Sequence, residues 1–128
     1  MIPIRFFNDF IICKTRIGNI KINGFKFFYG KIKKFVVTEN GASFADVPEK
    51  KKIHDVERIE FLKAHMAQLL RAKKDGINVK GYFVWTLMDN FEWAEGYTQR
   101  FGLVYTNFKN NKRYIKDSGY WLANFLKE

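Results

Sequence analysis

The sequence predicts an α/β fold built on a parallel strand–helix–strand unit. Two short runs, residues 35–38 and 81–85, are rich in the β-branched and aromatic residues typical of buried strands. Between them, apolar residues recur every three or four positions, which is the spacing of one face of an α-helix. A strand, a crossover helix and a second strand in this order favour parallel pairing of the two strands.

The first strand contains Phe35-Val36-Val37-Thr38 and is predicted to end at Glu39, before the turn-forming pair Asn40-Gly41. A polar, solvated loop follows. Asp55 is then placed to cap the helix, and Gly76 is placed to end it. The predicted core stripe of this helix consists of Val56, Ile59, Leu62, Met66, Leu69 and Leu70.

The second strand, Gly81 to Trp85, is continuously apolar, which predicts that both of its faces are covered. Residues 101–105 are predicted to form a short extended piece. Residues 118–126 are predicted to form a closing helix, capped by Asp117 and Ser118.

The first 34 residues differ from the rest because they show neither helical nor alternating periodicity. Three glycines divide them into short pieces, so that any helix over residues 25–34 is expected to be brief. This segment holds eight Lys or Arg and one Asp, and it therefore contributes most of the net charge of +10. No phosphate loop or recognition-helix pattern accompanies the basic residues, so specific nucleic-acid binding is not predicted.

Composition excludes several classes of protein. The chain has 128 residues, at most one domain and about half the usual length of a closed eight-stranded α/β barrel. No run of about 18 apolar residues is present, and the start makes a poor signal peptide, so we expect no membrane insertion and a cytoplasmic location. One cysteine and two histidines exclude an internal disulfide and a zinc-like ligand cluster, and neither a metal nor a cofactor is predicted.

The run from Trp85 to Gly102 carries the clearest chemistry. It contains two indoles, Trp85 and Trp93, and Glu92 lies directly before the second. An indole offers a flat face to the C–H side of a sugar, and a carboxylate accepts two hydroxyl hydrogen bonds. Because Glu39 and this run both follow the carboxyl ends of predicted parallel strands, they are expected to share one pocket.

Two of these motifs resemble the glycoside hydrolase family 1, the β-glucosidase family. Val37-Thr38-Glu39-Asn40-Gly41 is similar to its nucleophile motif, and Trp85 to Trp93 is similar to its sugar-binding motif. The similarity covers roughly residues 35–126. Residues 1–34 match poorly, which gives a predicted boundary between a basic amino-terminal segment, 1–34, and the family region, 35–128.

The resemblance implies a retaining β-glycosidase in a (β/α)8 TIM barrel, of which this chain supplies about the seventh and eighth βα units. Glu39 would be the nucleophile. Trp85 would stack beneath the glycone, Glu92 would accept from its 4- and 6-hydroxyls, Trp93 would donate to its 3-hydroxyl, and Phe101 would line the same subsite. The phosphosugar-specific branch replaces the Glu92–Trp93 pattern, so an unphosphorylated glycone is favoured. Asp89 and Asn90 are expected to fix the loop through hydrogen bonds to backbone groups.

The acid/base partner that a retaining glycosidase needs is missing, since the family's Asn-Glu-Pro motif does not occur. We therefore expect the chain to be a carboxyl-terminal piece of a β-glucosidase that is inactive alone. Its substrate would be the β-glycoside or oligosaccharide of the full-length parent. Whether a separate amino-terminal fragment is also a partner stays open. Two alternatives remain open: a non-catalytic sugar-binding remnant, and a basic interaction protein acting through residues 1–34.

Overall fold

The computed structural model describes residues 4–7, 10–15 and 34–127. The chain divides into two compact units, one formed by residues 1–41 and 63–84 and the other by residues 42–62 and 85–128. The long helix α1, Val56–Lys74, begins in the second unit and ends in the first. Within the described residues, no helix combines the length and the apolar character that crossing a membrane requires.

The first unit contains a four-stranded sheet with the order β1-β2-β3-β4. Its strands are β1 (Ile4–Phe7), β2 (Phe10–Thr15), β3 (Lys34–Asn40) and β4 (Val79–Val84). β3 and β4 pair in parallel and are joined through α1, which confirms the predicted strand–helix–strand unit. The helix ends at Lys74, and Gly76 follows it with a φ of +88°, the left-handed conformation that glycine adopts most readily.

β1 and β2 were not predicted. They pair antiparallel with each other, and β2 also pairs in parallel with β3. The local sequence lacks a clear alternation, so β2 depends on pairing with β3, a long-range partner that periodicity cannot reveal. The brief helix predicted for residues 25–34 lies almost entirely outside the described residues.

The core of the first unit lies between the sheet and the second half of α1. Phe35 and Val37, two residues apart on β3, point to the same face and pack with Ala72 of the helix. Partly buried apolar residues surround this centre: Leu69, Ile77, Val79 and Tyr82.

Two packing predictions were wrong. Val56 and Leu70 were assigned to the core stripe of α1, but each is 57% exposed, whereas Leu62 and Met66 of the same predicted stripe are buried, together with Ala72. β4 was expected to be covered on both faces. Phe83 is 61% exposed, since alternation along the strand points it away from the face on which Tyr82 joins the core.

The second unit contains a two-stranded antiparallel sheet and a closing helix. The strands are β5 (Val104–Thr106) and β6 (Arg113–Ile115), and the helix is α2 (Asp117–Phe125). A 3-10 helix, Trp93–Glu95, interrupts the long loop that precedes β5. The extended piece and the closing helix were predicted, within a few residues at their ends. β6 was not predicted.

The predicted caps of α2 were wrong. Its N-cap position is Lys116, which makes no side-chain cap hydrogen bond. Ser118 instead donates its backbone N–H to Asp55 at 2.9 Å and its hydroxyl to the same carboxylate at 2.5 Å. Asp117 accepts from the exposed His54 at 2.7 Å. The start of α2 is therefore held by the segment that precedes α1, a contact between residues distant in the sequence.

Candidate functional site

Glu39 lies in the first unit, at the carboxyl end of β3. Its neighbour Asn40 is fully buried, and Tyr82 of β4 donates its hydroxyl hydrogen bond to the Asn40 side-chain oxygen. Burial raises the pKa of Tyr82 above its ordinary value. The register pair Asn40 and Val84 fixes the end of β3 against β4. Glu39 itself is half-buried.

In the second unit, the structure brings two predicted site residues together. The indole nitrogen of Trp85 donates a hydrogen bond to one carboxylate oxygen of Glu92 at 2.9 Å. Both side chains are half-buried. The bond fixes the direction of the carboxylate relative to the indole plane, while the second carboxylate oxygen keeps its capacity to accept hydrogen bonds. The Trp85–Thr86 peptide bond is cis.

Trp93 and Phe101 differ in their surroundings. A pair of backbone hydrogen bonds between Glu92 and Gly96, both 2.8 Å long, closes a tight turn around the 3-10 helix. Trp93 lies at the tip of this turn with 85% of its surface exposed. Phe101 is half-buried, and its carbonyl accepts from the backbone of Thr86 at 3.4 Å.

Asp89 fixes the base of the same loop, as predicted. Its carboxylate accepts from the backbone N–H of Gly102 at 2.9 Å and from that of Thr106 at 3.3 Å. Asn90 donates its amide to the carbonyl of Met88 at 3.1 Å. The expectation that these two residues bind backbone groups is therefore confirmed.

Asp89 also belongs to a cluster of ionised side chains that the sequence did not reveal. Lys116 donates to Asp89 at 2.9 Å and also binds Asp46. Arg58 binds Asp46 at 2.7 Å and also binds Asp55. We call this cluster the buried charge network, and its members are Asp46, Asp55, Arg58, Asp89, Arg100 and Lys116.

The network is almost completely buried and is balanced in charge, with three carboxylates and three cations. Five of its side chains are at most 2% exposed, and only Arg100 reaches solvent. Buried charges are tolerated when they are paired and hydrogen-bonded. The one local signal was the spacing of Asp55 and Arg58, three residues apart at the start of a helix. Their other partners are distant in the sequence.

Arg100 links the network to a row of aromatic rings. It donates to Asp89 at 2.8 Å, and its guanidinium carbon lies 4.3 Å from the ring centre of Tyr105 and 4.7 Å from that of Phe108. Phe108 also packs against Tyr97, at 4.6 Å between ring centres, and Tyr97 packs edge-on against Phe91 at 5.3 Å. Residues on both sides of Glu92 are therefore held to the turn that follows β5.

The five predicted site residues are divided between the units. Glu39 lies in the first, and Trp85, Glu92, Trp93 and Phe101 lie in the second. That they share one pocket stays a prediction. Across the part of the chain that the structure describes, no cluster of three or more histidine, cysteine, aspartate or glutamate side chains is arranged to hold a metal ion.

Comparison with known proteins identifies the lineage. Residues 16–128 match the sequence profile of glycosyl hydrolase family 1. The chain is 59% identical over 92 residues to a 1,4-beta-D-glucan glucohydrolase of Thermotoga neapolitana, and this match covers 71% of the chain and 21% of the relative. It is 47% identical over 93 residues to a 6-phospho-beta-galactosidase of Leptotrichia buccalis, covering 73% of the chain and 20% of that relative.

The fold agrees with the sequence match. The family 1 β-glucosidase of Thermotoga maritima superposes with a TM-score of 0.79 at 48% identity, over 83% of this chain and 24% of that one. Such β-glucosidases are TIM barrels, so the chain contains part of a (β/α)8 barrel. It spans about a fifth of the length of the curated relatives that it matches.

Proposed function

Because the chain belongs to glycosyl hydrolase family 1, we propose that it carries the nucleophile and the glycone-binding part of a retaining β-glycosidase site. Glu39 is the nucleophile in this proposal. Trp85, Glu92, Trp93 and Phe101 contact the glycone. The order of the motifs supports an assignment of β3 and α1 to the seventh βα unit of the barrel and of β4 to the eighth.

The observation that carries the proposal is the 2.9 Å hydrogen bond between the indole of Trp85 and Glu92. It joins a flat apolar surface to a carboxylate of fixed direction. A pyranose needs both, since its C–H face packs on an aromatic ring while its hydroxyls donate to an oxygen acceptor. The arrangement therefore supports a sugar ligand better than it supports an apolar or a planar charged one.

The carboxylate of Glu92 also bears on the substrate class. A phosphorylated glycone would bring its negative charge towards this carboxylate, and like charges in a partly buried site repel. We therefore propose an unphosphorylated glycone, although some relatives of comparable identity are named as 6-phospho-beta-galactosidases.

The 128 residues contain no Asn-Glu-Pro motif to supply the acid/base carboxyl. In a retaining mechanism this group protonates the leaving oxygen and later activates water, from about 5 to 5.5 Å away from the nucleophile. We propose that the chain alone does not hydrolyse ordinary β-glycosides. Assay of the purified protein with an alkyl β-glucoside should show no turnover above background.

The nucleophile is testable without an acid/base. A 2,4-dinitrophenyl 2-deoxy-2-fluoro-β-glucoside has a leaving group that departs as a stable phenolate, so no proton donor is needed. An oxygen of Glu39 would form a bond to the anomeric carbon while the bond to the phenolate oxygen breaks, leaving a fluorosugar ester. Intact-mass and peptide mass spectrometry should locate this ester on Glu39.

Two variants make the labelling experiment specific. Glu39→Gln removes the nucleophilic carboxylate and should abolish the adduct. Glu49→Gln changes an exposed loop glutamate and should leave labelling unchanged. An unlabelled wild-type protein, or labelling that survives in Glu39→Gln, would contradict the assignment.

A further inference from the structure

Lys116 is the most unusual member of the buried charge network. Its side chain is fully buried, and its ammonium group lies between the carboxylates of Asp46 and Asp89. Removing a charge from water costs several kcal/mol, a cost that close carboxylate partners offset. No sugar can reach Lys116, so any effect it has on a ligand must act through its neighbours.

The neighbour that matters is Asp89, whose hydrogen-bonding capacity is fully used. One oxygen accepts from Gly102 N and Lys116 Nζ, both at 2.9 Å. The other accepts from Arg100 at 2.8 Å and from Thr106 N at 3.3 Å. A carboxylate has about four acceptor positions, so these four donors hold it in one orientation.

Asp89 and Gly102 enclose the loop that carries three of the proposed glycone contacts. Asp89 lies three residues before Glu92, and Gly102 directly follows Phe101. The backbone nitrogen of Asp89 also donates to the carbonyl of Val104 at 3.0 Å, which ties the loop to β5. The two ends of the loop therefore meet at the Asp89 carboxylate, to which Lys116 donates a hydrogen bond.

From these contacts we propose that Lys116 is a positioning residue for the glycone-binding loop. It acts through Asp89 and contacts no ligand. The proposal rests on the proposed function for its ligand, an unphosphorylated glucoside, but its effect on the loop is independent of any sugar. Loss of the ammonium charge deprives the buried carboxylates of Asp46 and Asp89 of a cationic partner. The hydrogen bonds that Asp89 accepts from the backbone of Gly102 and Thr106 are weakened as a result.

The test replaces the ammonium group chemically. In a Cys13→Ser background of the full chain, Lys116→Cys is alkylated while unfolded with 2-bromoethylamine, which restores an ammonium group on a side chain of nearly lysine length. A second sample is alkylated with iodoacetamide, which leaves a neutral amide. Both are refolded, and Lys112→Met serves as a control at an exposed lysine.

Amide hydrogen exchange is followed at Gly102 and Thr106 and, as a reference, along residues 63–74 of α1, which belong to the first unit and not to the buried charge network. The neutral derivative should exchange about tenfold faster at the two loop-base amides, with this reference segment unchanged. The aminoethyl derivative and Lys112→Met should match the unmodified chain. Equal exchange in the two derivatives, or a uniform increase that includes the reference segment, would overturn the positioning role.

Glucose binding, measured by calorimetry, is the second measurement. The neutral derivative should bind glucose about tenfold more weakly than the aminoethyl derivative. If the unmodified chain binds no glucose, the proposed function fails at this site, while the exchange experiment still decides the role of Lys116. If the neutral derivative does not fold, Asp89→Asn decides, because it preserves size and one acceptor. Unchanged exchange at Thr106 in that variant would overturn the proposal.

Discussion

Gly102 occupies a position where even one methyl group does not fit. A Cβ added there would lie 2.2 Å from the backbone nitrogen of Asp89 and 2.5 Å from the carbonyl carbon of Met88. Relief of these overlaps requires a backbone movement of about 1 Å, since ordinary carbon contacts are about 3.5 Å or longer. Both atoms belong to the base of the loop, which the buried charge network holds in place.

The magnitude of the effect of Gly102→Ala follows from the hydrogen bonds that this movement breaks. They are the bond from Gly102 N to Asp89 at 2.9 Å and the bond from Asp89 N to Val104 O at 3.0 Å. Each buried group left without its partner costs about 1 to 3 kcal/mol. We expect a loss of about 2 to 6 kcal/mol in the free energy of unfolding, a large share of the usual total of about 5 to 15 kcal/mol.

Gly81 provides a matched control. A Cβ added there would lie 3.4 Å from Val36 Cγ1 and 3.5 Å from a ring carbon of Phe83, which are tolerable contacts with side chains. Gly81→Ala should therefore change the free energy of unfolding by less than about 0.5 kcal/mol. Urea unfolding followed by far-ultraviolet circular dichroism measures both variants. A loss in Gly102→Ala no larger than that in Gly81→Ala would refute the steric argument.

Two further predictions concern buried polar groups. Arg58→Met leaves the buried Asp55 without its cation and Asp46 with Lys116 alone, and it should destabilise the chain by about 3 to 5 kcal/mol in urea unfolding. The exposed Arg71→Met should change stability by less than about 0.5 kcal/mol; equal losses would contradict burial of the network. Because burial raises the pKa of Tyr82, its contribution to stability is complete below about pH 10 and is lost as the pH rises further. A pH series of unfolding curves should show a shallower alkaline loss for Tyr82→Phe, and the exposed Tyr97→Phe should follow the wild type; an unchanged slope in Tyr82→Phe would argue against a raised pKa.

Local patterns in the sequence were sufficient for the elements around the site. The strand that ends near Glu39, the helix that ends before Gly76 and the strand before Trp85 follow from β-branched runs, helical spacing and a glycine stop. The motifs also indicated the family, because the spacing of Glu39 and the Trp85 run is a property of the chain alone. The role of Asp89 at the loop base was also predicted, because aspartate side chains readily accept hydrogen bonds from nearby backbone groups.

Other features depended on residues that are distant along the chain. Ser118, wrongly assigned as a cap of α2, is an example. Its hydroxyl and its backbone N–H both donate to Asp55, which directly precedes α1. The strands β1 and β2 likewise require β3 as a partner. Periodicity reports which face of one element is apolar, and it carries no information about which element lies opposite.

The sequence by itself therefore determined the strand–helix–strand unit, the family and the residue types that suit a sugar. Only the tertiary structure decided that Lys116 and Arg58, about whose burial local patterns say nothing, are buried between carboxylates. The physical reason is that a charge is stable in the interior only beside an opposite charge. Which charges meet depends on how the segments around residues 46, 58, 89 and 116 come together in the fold.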